Sequence, residues 1–503
     1  MDFATILEES ANRHADRIAV TAGTQSLTYA ALADRVARLA GGLVSLGLRP
    51  GDRIATLLPN GFDLVTTLLA ATRAELIAVP ITTRYAPPQV GYILRHSGAR
   101  ALVAASTFLQ NVTAEARASL DIMIGSNNEN GMVPLTDLLQ SNPASPLRTC
   151  PDPIGLLMYT SGTTSRPKGV AHTQRRMARR VDLFVGEMGL TAADSTMAVA
   201  DVGRPMVLLG QLLPMLRVGG RTTLLPRIDP GLFWAEYTAN RPSYLTTGPG
   251  ITFDLIDHPA ARTADHAGLR FWVTGGDKAL PALHRRMAEV VGRPLLEMCG
   301  MTETGFYAVN PWAGPVKVGS IGLAMRGVAV RLVAPDGGDV PPGQVGQIVV
   351  RTPDLMIGYW NDTLQTHRVL RDGWLDTGDL ASADDDGYLW FVGRDKDMIC
   401  RGGMKVAPAM VEDAMITHPA LAGVAVVGKS DARYGQIPFA FYRLHPGAAD
   451  PGADQLRAWA ASQLDEISVP VAFSPLERWP VTDQGKLDRS RLVWMAEAGG
   501  AEV

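Results

Sequence analysis

The amino-acid sequence predicts an α/β fold in which a large N-terminal domain, residues 1–395, precedes a smaller α+β C-terminal domain, residues 396–503. The chain has 503 residues, 46% of them hydrophobic, and is too long for a single core. Helical and strand patterns alternate over residues 1–150 and again over 197–296, as in parallel sheets with helices on both faces. Short strands and turns follow. The N-terminal domain is therefore expected to hold two α/β subdomains and a small β-barrel-like subdomain.

The first α/β subdomain is predicted from apolar periodicity and turn signals. One helix is indicated by apolar residues at helical spacing, namely Leu32, Val36, Leu39, Leu43 and Leu46. Strands are expected over residues 54–58 and 101–104, with a second helix over 63–73. A Pro/Ser-rich connector, residues 141–153, then leads through an apolar run to a basic, helix-like run at 172–180.

The second half of the chain contains two smaller units. Strands at residues 328–333 and 347–351, separated by turns rich in Pro and Gly, indicate an antiparallel sheet or small barrel. Strands at 424–427 and 439–442, followed by a helix near 456–464, indicate a separate α+β domain of ordinary size.

Composition and charge exclude several classes of function. The net charge is −3 with no long basic run, so nucleic acid is not an expected partner. A basic cluster of Arg175, Arg176, Arg179 and Arg180 is interpreted as a solvated helix face. No apolar run is long enough to span a bilayer, residues 1–20 lack a secretory signal, and the three scattered cysteines match no metal-ligand spacing. These features predict a soluble cytoplasmic protein without a membrane span.

A polar stretch that contains glycine, YTSGTTSRPKG at residues 159–169, is the first candidate site. Hydroxyls and backbone N–H groups in a tight turn bind phosphate oxygens, and a lysine adds a mobile positive charge. The spacing is not that of a Walker A loop, because Lys168 is followed by Gly169. A polar turn between a strand and a helix is the simpler alternative. The candidate phosphate ligands are Thr160, Ser161, Gly162, Thr163, Thr164 and Lys168.

Two further polar turns carry carboxylates. Residues 298–305, MCGMTETG, place Thr302 beside Glu303, and this pair suits a phosphate and Mg²⁺, although it also occurs at helix N-caps. In the later GWLDTGDL segment, the carboxylate of Asp379 can accept hydrogen bonds from both hydroxyls of a ribose. Turn chemistry, with Arg394 as an ordinary ion-pair residue, is the simpler explanation.

In their order along the chain, these stretches resemble the motifs of the adenylate-forming superfamily: acyl-CoA synthetases, peptide-synthetase adenylation domains and luciferases. Two more segments match, VTGGD at residues 273–277 and PVTDQGKLD at 480–488. The chain is most similar to a free-standing acyl-CoA synthetase. It departs from the family pattern where Ser165 replaces a glycine, Cys299 a tyrosine and Asp201 a histidine.

The resemblance implies ATP, Mg²⁺ and coenzyme A as cofactors. The phosphate loop would hold the β- and γ-phosphates, Glu303 would hold Mg²⁺, and Lys486 would bridge the substrate carboxylate and the α-phosphate. The remaining nucleotide ligands implied by the match are Gly275, Gly276, Asp277, Thr302, Asp379 and Arg394. The implied catalytic residues are Thr302, Glu303 and Lys486.

The resemblance also implies a C-terminal domain that rotates between two half-reactions. The first half-reaction forms acyl-AMP and pyrophosphate, and the second transfers the acyl group to a thiol and releases AMP. By the match, Lys396 is the hinge, while Gly402, Gly403 and Lys405 line the channel for the incoming thiol.

The acyl substrate is predicted to be hydrophobic: aromatic, alicyclic, polycyclic or fatty. The sequence around the implied acyl-pocket positions is apolar and rich in methionine, which suits a bulky apolar ligand. The implied acyl-pocket residues are Asp201, Met206, Met298, Gly300, Met301 and Phe306. In amino-acid-activating relatives an aspartate at position 201 pairs with the substrate amine. Pairing of Asp201 with Arg204 is favoured instead, since an unpaired buried carboxylate is costly.

The predicted activity is that of an AMP-forming acid–thiol ligase whose partners are a small carboxylic acid and coenzyme A. No carrier-protein segment follows Lys486, so the chain is expected to be free-standing. A ligase that loads an acyl or aminoacyl group onto a separate carrier protein is the first alternative. A non-catalytic acyl-nucleotide binder, which would lack Glu303 or Lys486, is the second. The oligomeric state stays open, with a homodimer as one option.

Overall fold

The computed structural model describes residues 3–126, 131–160, 167–279, 281–401, 404–482 and 486–499, without the side chains of Lys396 and Lys405. Up to residue 173 helices and strands alternate, as the sequence predicts. These elements are α1 (Phe3–His14), β1 (Ile18–Ala22), β2 (Gln25–Thr28), α2 (Tyr29–Ser45), β3 (Arg53–Leu57), α3 (Phe62–Arg73), β4 (Ile77–Pro80), α4 (Pro87–Ser97), β5 (Ala99–Ala104), a 3-10 turn (Ser106–Asn111), α5 (Ala114–Ala118), β6 (Ile122–Gly125), β7 (Val133–Pro134), α6 (Leu135–Leu138), β8 (Ile154–Thr160) and β9 (Lys168–Thr173).

The alternation continues through the second α/β part of the chain. Its elements are α7 (Gln174–Met188), β10 (Ser195–Ala198), α8 (Pro205–Val207), a π-helical turn (Leu208–Leu212), α9 (Leu213–Val218), β11 (Arg221–Leu224), α10 (Pro230–Asn240), β12 (Tyr244–Thr247), α11 (Pro249–Asp257), a 3-10 turn (Pro259–Arg262), β13 (Phe271–Gly275), α12 (Pro281–Val291), β14 (Leu295–Met301) and β15 (Gly305–Val309).

Strands dominate the remainder. First come β16 (Leu323–Ala324), β17 (Ala329–Val333), β18 (Gly346–Arg351), β19 (Gly358–Tyr359), α13 (Thr363–Val369), β20 (Leu370–Arg371), β21 (Trp374–Ala383), β22 (Leu389–Arg394) and a 3-10 turn (Asp395–Asp397). The C-terminal elements are β23 (Ile399–Arg401), β24 (Met404–Val406), α14 (Pro408–Met415), β25 (Leu421–Asp431), β26 (Gly435–Leu444), α15 (Gly452–Ala461), β27 (Ala472–Pro475) and α16 (Arg489–Glu497).

The candidate phosphate loop connects two strands of a sheet with the order β19-β9-β8-β4-β3-β5-β6-β7. Strand β3 runs parallel to β4 and β5, and β4 runs parallel to β8. Strands β8 and β9 are antiparallel, and Thr160 is opposite Lys168. This pairing brings the two flanks of the loop together at one end of the sheet.

The turn that contains Thr302 and Glu303 connects two strands of a second sheet, ordered β12-β13-β14-β15-β16. Strands β12, β13 and β14 are parallel, and β15 returns antiparallel to β14. Gly275 pairs with Met298 across β13 and β14. The glycine turn after β13 and the Thr302 turn after β14 therefore leave the same edge of the sheet. A further sheet, β10-β11-β1-β2, joins the start of the chain to its middle.

The predicted antiparallel sheet and the α+β unit are both present. The first contains β17, β18, β21 and β20, with β22 paired to β21 so that Asp379 is opposite Arg394. The second contains β24, β23, β26 and β25, with β27 parallel to β26. The 395/396 boundary between the domains, within the 3-10 turn, stays a prediction.

The apolar periodicity of the sequence corresponds to the observed core. Leu32, Val36, Leu39 and Leu43 are buried along one face of α2, where they pack with residues of α1, α3 and α7. The basic run after the phosphate loop is only partly helical, because its first residues belong to β9 and the helix begins at Gln174. None of the described helices is long and apolar enough to cross a membrane.

Candidate active site

The described flanks of the phosphate loop place Lys168 beside an aromatic ring. Its ammonium nitrogen lies 5.0 Å from the ring centroid of Tyr359, within the range of a cation–π contact. Strand β19 pairs with β9, which brings Tyr359 to this position. Thr160 ends β8, whereas Ser161, Gly162, Thr163, Thr164 and Ser165 lie outside the described residues.

Glu303 is buried, and its carboxylate is directed toward Tyr359. The hydroxyl of Tyr359 donates a hydrogen bond of 2.8 Å to its Oε1 atom. Burial raises the pKa of Glu303, while the Tyr359 hydrogen bond and the positive charges of Lys168 and Arg394 act in the opposite direction. Tyr359 therefore connects the lysine of the phosphate loop to the carboxylate of the second motif.

The prediction of a solvated arginine face on α7 is wrong for Arg180. Only 6% of Arg180 is exposed, and its guanidinium donates to the backbone carbonyls of Thr302, Glu303 and Asp354. Arg176 donates to the carbonyls of Leu355 and Met356, while Arg179 remains half exposed. The helix brings Arg180 to the turn because its apolar residues Met177, Val181 and Phe184 are buried on the same side.

Asp379 and Arg394 form an ion pair across β21 and β22. Arg394 Nε lies 3.1 Å from Asp379 Oδ1, and the aspartate is buried whereas the arginine is half exposed. Burial, and then the negative charge of Asp379, raise the pKa of the Cys299 thiol to about 12. Its sulfur lies 3.0 Å from the hydroxyl of Tyr307. Tyr307 thus supplies an aromatic side chain next to the position where relatives carry tyrosine.

Lys486, from the C-terminal unit, lies over the glycine turn of the N-terminal part. A Cβ atom at Gly276 would be 3.7 Å from Lys486 Cε and 3.8 Å from its Nζ, so the bare backbone allows this approach. Solvent still reaches Lys486, yet surrounding protein atoms desolvate its ammonium and lower its pKa. The positive charge of Arg394 adds to this effect, and the negative charges of Asp277 and Asp379 oppose it.

A second contact joins the same two parts of the chain. Lys278 Nζ lies 2.5 Å from Asp413 Oδ2, which connects the segment after the glycine turn to helix α14. The lysine is mostly buried and the aspartate half exposed. The charges of Asp277, Asp379 and Arg394, all from the N-terminal part, act on the ammonium of Lys486.

Asp201 is held by its own neighbours. Its Oδ1 accepts a hydrogen bond of 2.8 Å from the N–H of Gly203, and the Thr82 hydroxyl also bonds to the carboxylate. Burial raises its pKa, although these hydrogen bonds and the charges of Arg204 and Arg84 lower it. Hydrogen bonds from Gly203 and Thr82 thus hold the carboxylate, and an ion pair between Asp201 and Arg204 stays a prediction.

The other predicted acyl-pocket residues do not all meet. Met206 and Phe306 pack against one apolar cluster that includes the buried Met298. Met301 instead packs against a separate cluster around Met356. A Cβ at Gly210 would lie 3.4 Å from Phe306 Cζ, so this glycine leaves room for the ring. Gly300 is needed at the turn, because a Cβ there would approach the carbonyl oxygen of Gly305 to 2.5 Å.

Residues predicted for the thiol step are described only in part. Lys396 lies in the 3-10 turn after β22, and the backbone of Lys405 pairs with that of Cys400. Gly402 and Gly403 are outside the described residues. Among the side chains that are described, no group of three or more His, Cys, Asp or Glu could hold a metal ion.

The motif order and the sheets agree with comparisons to known proteins. The family model described as AMP-binding enzyme matches residues 7–360, and the model for the AMP-binding enzyme C-terminal domain matches residues 410–486. The chain belongs to the AMP-binding enzyme family. The predicted adenylate-forming superfamily is thereby confirmed.

Relatives of this AMP-binding enzyme extend along nearly its whole length. It is 35% identical over 477 residues to a feruloyl-CoA synthase of Amycolatopsis sp, covering 93% of this chain and 94% of the relative. It is 32% identical to the sulfoacetate–CoA ligase of Cupriavidus necator, with 93% and 92% covered. An anthranilate CoA ligase solved with anthranoyl-AMP superposes with a TM-score of 0.92 at 26% identity, covering 100% of this chain and 98% of that one. The predicted fold class and the acid–thiol ligase class are confirmed.

Two residues of the site were not predicted from the sequence, Tyr359 and Arg180. Tyr359 lies in a short strand outside every recognised motif, and no local pattern marks it. For Arg180 a signal existed: it stands three residues after Met177 and four before Phe184, which places it on the apolar side of α7.

Proposed function

We propose that this AMP-binding enzyme activates a hydrophobic carboxylic acid with ATP to give acyl-AMP and pyrophosphate, then transfers the acyl group to coenzyme A. The observation that carries the proposal is the position of Lys486 over Gly276, which precedes Asp277, and the charges of Asp379 and Arg394 also act on its ammonium. A lysine from the C-terminal unit is thus next to the proposed ribose and adenine ligands. This is the arrangement that adenylate formation requires.

The first half-reaction brings two negatively charged groups together. The substrate carboxylate attacks the α-phosphate, the new C–O–P linkage forms, and the bond to pyrophosphate breaks. Positioning and charge compensation supply most of the catalysis in such transfers. Lys486 would contact both the carboxylate and the α-phosphate, while Lys168 and the hydroxyls of the phosphate loop would hold the leaving pyrophosphate. Asp379 and Arg394 would fix the ribose.

Glu303 fits a magnesium ion. Its carboxylate is a hard oxygen ligand, and a site with one carboxylate suits Mg²⁺, which keeps several waters and binds substrate phosphates. Mg²⁺ would there compensate the charge of the β- and γ-phosphates. Tyr359 and Arg180 would hold the glutamate in place, the first through its carboxylate and the second through its backbone.

The second half-reaction needs room for a thiol. The thiolate attacks the acyl carbon, the thioester forms, and AMP leaves with the electrons of the broken C–O bond. We propose that residues 396–503 rotate about Lys396, which withdraws Lys486 and presents Gly402, Gly403 and Lys405 to the thiol. The Lys278–Asp413 ion pair would break in that rotation. Coenzyme A is the preferred thiol, since the three relatives above are all named as CoA enzymes.

A hydrophobic and preferably aromatic acid fits the pocket best. Phe306 packs against Phe184 with ring centroids 5.3 Å apart, and the neighbouring cluster is apolar. Asp201 is already bonded to Gly203 and Thr82, which disfavours a substrate amine as its partner. The names of the feruloyl and anthranilate enzymes support an aromatic acid, whereas the sulfoacetate enzyme shows that small anionic acids occur among relatives.

The decisive experiment is a panel of acids incubated with ATP, Mg²⁺ and the enzyme, followed by chromatography of the nucleotides. AMP and pyrophosphate are the expected products, and apolar aromatic acids should give the highest rates. Production of ADP and phosphate would refute the adenylate mechanism. A panel led by amino acids, together with loss of turnover in Asp201→Asn, would refute the proposed substrate class.

A further inference from the structure

Helix α7 places Arg180 in the protein interior, next to the turn that contains Thr302 and Glu303. The helix starts after Thr173, whose hydroxyl accepts from the N–H of Arg176, and ends at Gly189 in the left-handed region with φ of +56°. Two turns into this helix, Arg180 enters the interior among apolar side chains. Burying a guanidinium costs several kcal/mol unless its donors and its charge are compensated.

The donors of Arg180 are directed at backbone oxygens of two segments. Its Nη2 donates to the Glu303 carbonyl at 2.9 Å, its Nη1 to the Thr302 carbonyl at 3.3 Å, and its Nε to the Asp354 carbonyl at 2.8 Å. The guanidinium therefore bridges the turn between β14 and β15 and the segment that follows β18. A planar fork of donors suits this task better than a flexible ammonium.

The charge around Arg180 keeps the guanidinium ionised. Burial lowers its pKa to about 9, still above neutral pH, and the carboxylates of Asp354 and Glu303 favour the charged form, whereas Arg176 opposes it. His172 lies beside it, with its Nε2 at 3.5 Å from Nη1. Burial and the arginine charge lower the pKa of His172 well below its usual value, so the imidazole is neutral at pH 7.

Glu303 is thereby fixed from two directions. Its carbonyl accepts from Arg180 and also from the N–H of Met356 at 2.7 Å. Its carboxylate accepts from Tyr359 on the opposite side. With the backbone and the side chain both held, the carboxylate keeps one orientation toward the phosphate-loop lysine. A ligand held in advance binds its metal at a lower cost in entropy.

We propose that Arg180 is a positioning residue for the first half-reaction, which acts through the backbone of Thr302 and Glu303 to orient the carboxylate that binds Mg²⁺. This inference rests on the proposed function, because it assigns Mg²⁺ to Glu303. Arg180 itself contacts none of the reacting groups. Partners that orient a metal ligand typically contribute ten- to hundredfold to metal affinity or activity.

The test compares Arg180→Met and Arg180→Lys with Arg175→Met as the matched control. Arg175 is an arginine of the same helix, but its side chain is exposed and donates to the Pro151 carbonyl at 2.9 Å. Three quantities are measured for each variant. They are the hydrogen exchange of a peptide that covers residues 298–305 without nucleotide or metal, the Mg²⁺ concentration for half-maximal pyrophosphate release, and the rate of thioester formation from supplied acyl-AMP.

For Arg180→Met we expect faster exchange in the turn and about tenfold more Mg²⁺ for half-maximal rate, with adenylation about ten- to hundredfold slower. The rate of thioester formation should change about threefold at most, because this step needs no Mg²⁺ and does not use the oriented carboxylate. Arg180→Lys should give intermediate values, because it keeps the charge without the fork. Arg175→Met should match the wild type in all three measurements.

Several results would overturn the inference. One is unchanged exchange and Mg²⁺ dependence in a folded Arg180→Met variant, and another is equal loss in both half-reactions. If Arg180→Met does not fold, Arg180→Lys decides by the same measurements, and wild-type values for it would refute the positioning role. Failure of the proposed function is separable from this outcome. It would appear as absence of AMP formation by the wild type, while the exchange experiment uses no substrate and still tests Arg180.

Discussion

Replacing Tyr359 by phenylalanine gives a sharp test of the electrostatics at Glu303. The substitution removes one hydroxyl, which donates 2.8 Å to Glu303 Oε1, and keeps the ring that Lys168 contacts. Burial raises the pKa of Glu303, and the Tyr359 hydrogen bond opposes that rise. Without the hydroxyl, the glutamate should hold its proton up to a higher pH. Since a protonated carboxyl does not bind Mg²⁺, adenylation should be lost earlier as the pH falls.

The expected loss of rate follows from the negative charge of Glu303, which accepts the hydrogen bond. A hydrogen bond to a charged group contributes about 1.5–3 kcal/mol, and about 1.4 kcal/mol corresponds to a factor of ten in proton affinity. Tyr359 is half-buried, so water can replace part of the lost bond and the lower value applies. On the acid side of the profile we therefore expect a rate about tenfold below that of the wild type, with little change at alkaline pH.

Pyrophosphate release at fixed ATP and Mg²⁺, followed from acid to alkaline pH, measures this effect. Tyr388→Phe is the matched control, because its hydroxyl donates to the Pro315 carbonyl at 2.5 Å and bonds to no carboxylate of the described residues. It should leave the profile unchanged. A Tyr359→Phe variant that loses rate equally at every pH, or a profile identical to the control, would refute the proposed electrostatic coupling.

The remaining predictions concern three other parts of the site. Glu303→Gln should slow adenylation by about a hundredfold or more. The thermal midpoint of this variant at pH 7 should not fall. The raised pKa of Glu303 means that folding disfavours its ionised form, and this cost in stability is present above the unfolded pKa and absent at lower pH. A clear loss of stability in calorimetry would contradict this expectation. Lys486→Ala should lose acyl-AMP formation by about a hundred- to several-thousandfold, equivalent to about 3–5 kcal/mol, and keep thioester formation from supplied acyl-AMP. Equal losses in the two half-reactions would argue against the rotating C-terminal unit. Lys278→Ala and Asp413→Ala should each slow adenylation by about two- to fivefold, as expected for a partly exposed pair worth about 0.5–1 kcal/mol. The double variant should show no further loss, and additive losses in a double-mutant cycle would show that the two residues do not act as a pair.

Much of the fold was predictable because local patterns agree with the tertiary structure. The leucines of α2 repeat at helical spacing and are buried on one side, so periodicity alone located this helix. The strands and turns predicted over residues 328–351 likewise marked the antiparallel sheet. The order of strands within each sheet could not be predicted, since β8 pairs with the distant β4 and not with β7, which precedes it in the chain. Such crossovers depend on packing between distant segments.

The candidate site, like the fold, was predictable only in part. The motifs pointed to Lys168, Glu303, Asp379 and Lys486, because residue types suited to binding phosphate, metal and ribose stand in recognisable runs. Tyr359 belongs to no such run, and its role follows from β19 pairing with β9. Met301 was assigned to the acyl pocket together with Met298 and Phe306 because the segment is apolar and rich in methionine, but its side chain packs in another cluster, around Met356.

The sequence by itself determined the chemical groups, their order and the family, because these are properties of residue types at fixed spacing. The tertiary structure alone decided which groups meet. It placed Lys486 over Gly276, 210 positions earlier in the numbering of the chain. It also turned Arg180 from an expected surface charge into the support of the Thr302–Glu303 turn. The physical reason is that burial, desolvation and hydrogen bonding act between atoms in space, and packing of the whole chain sets those distances.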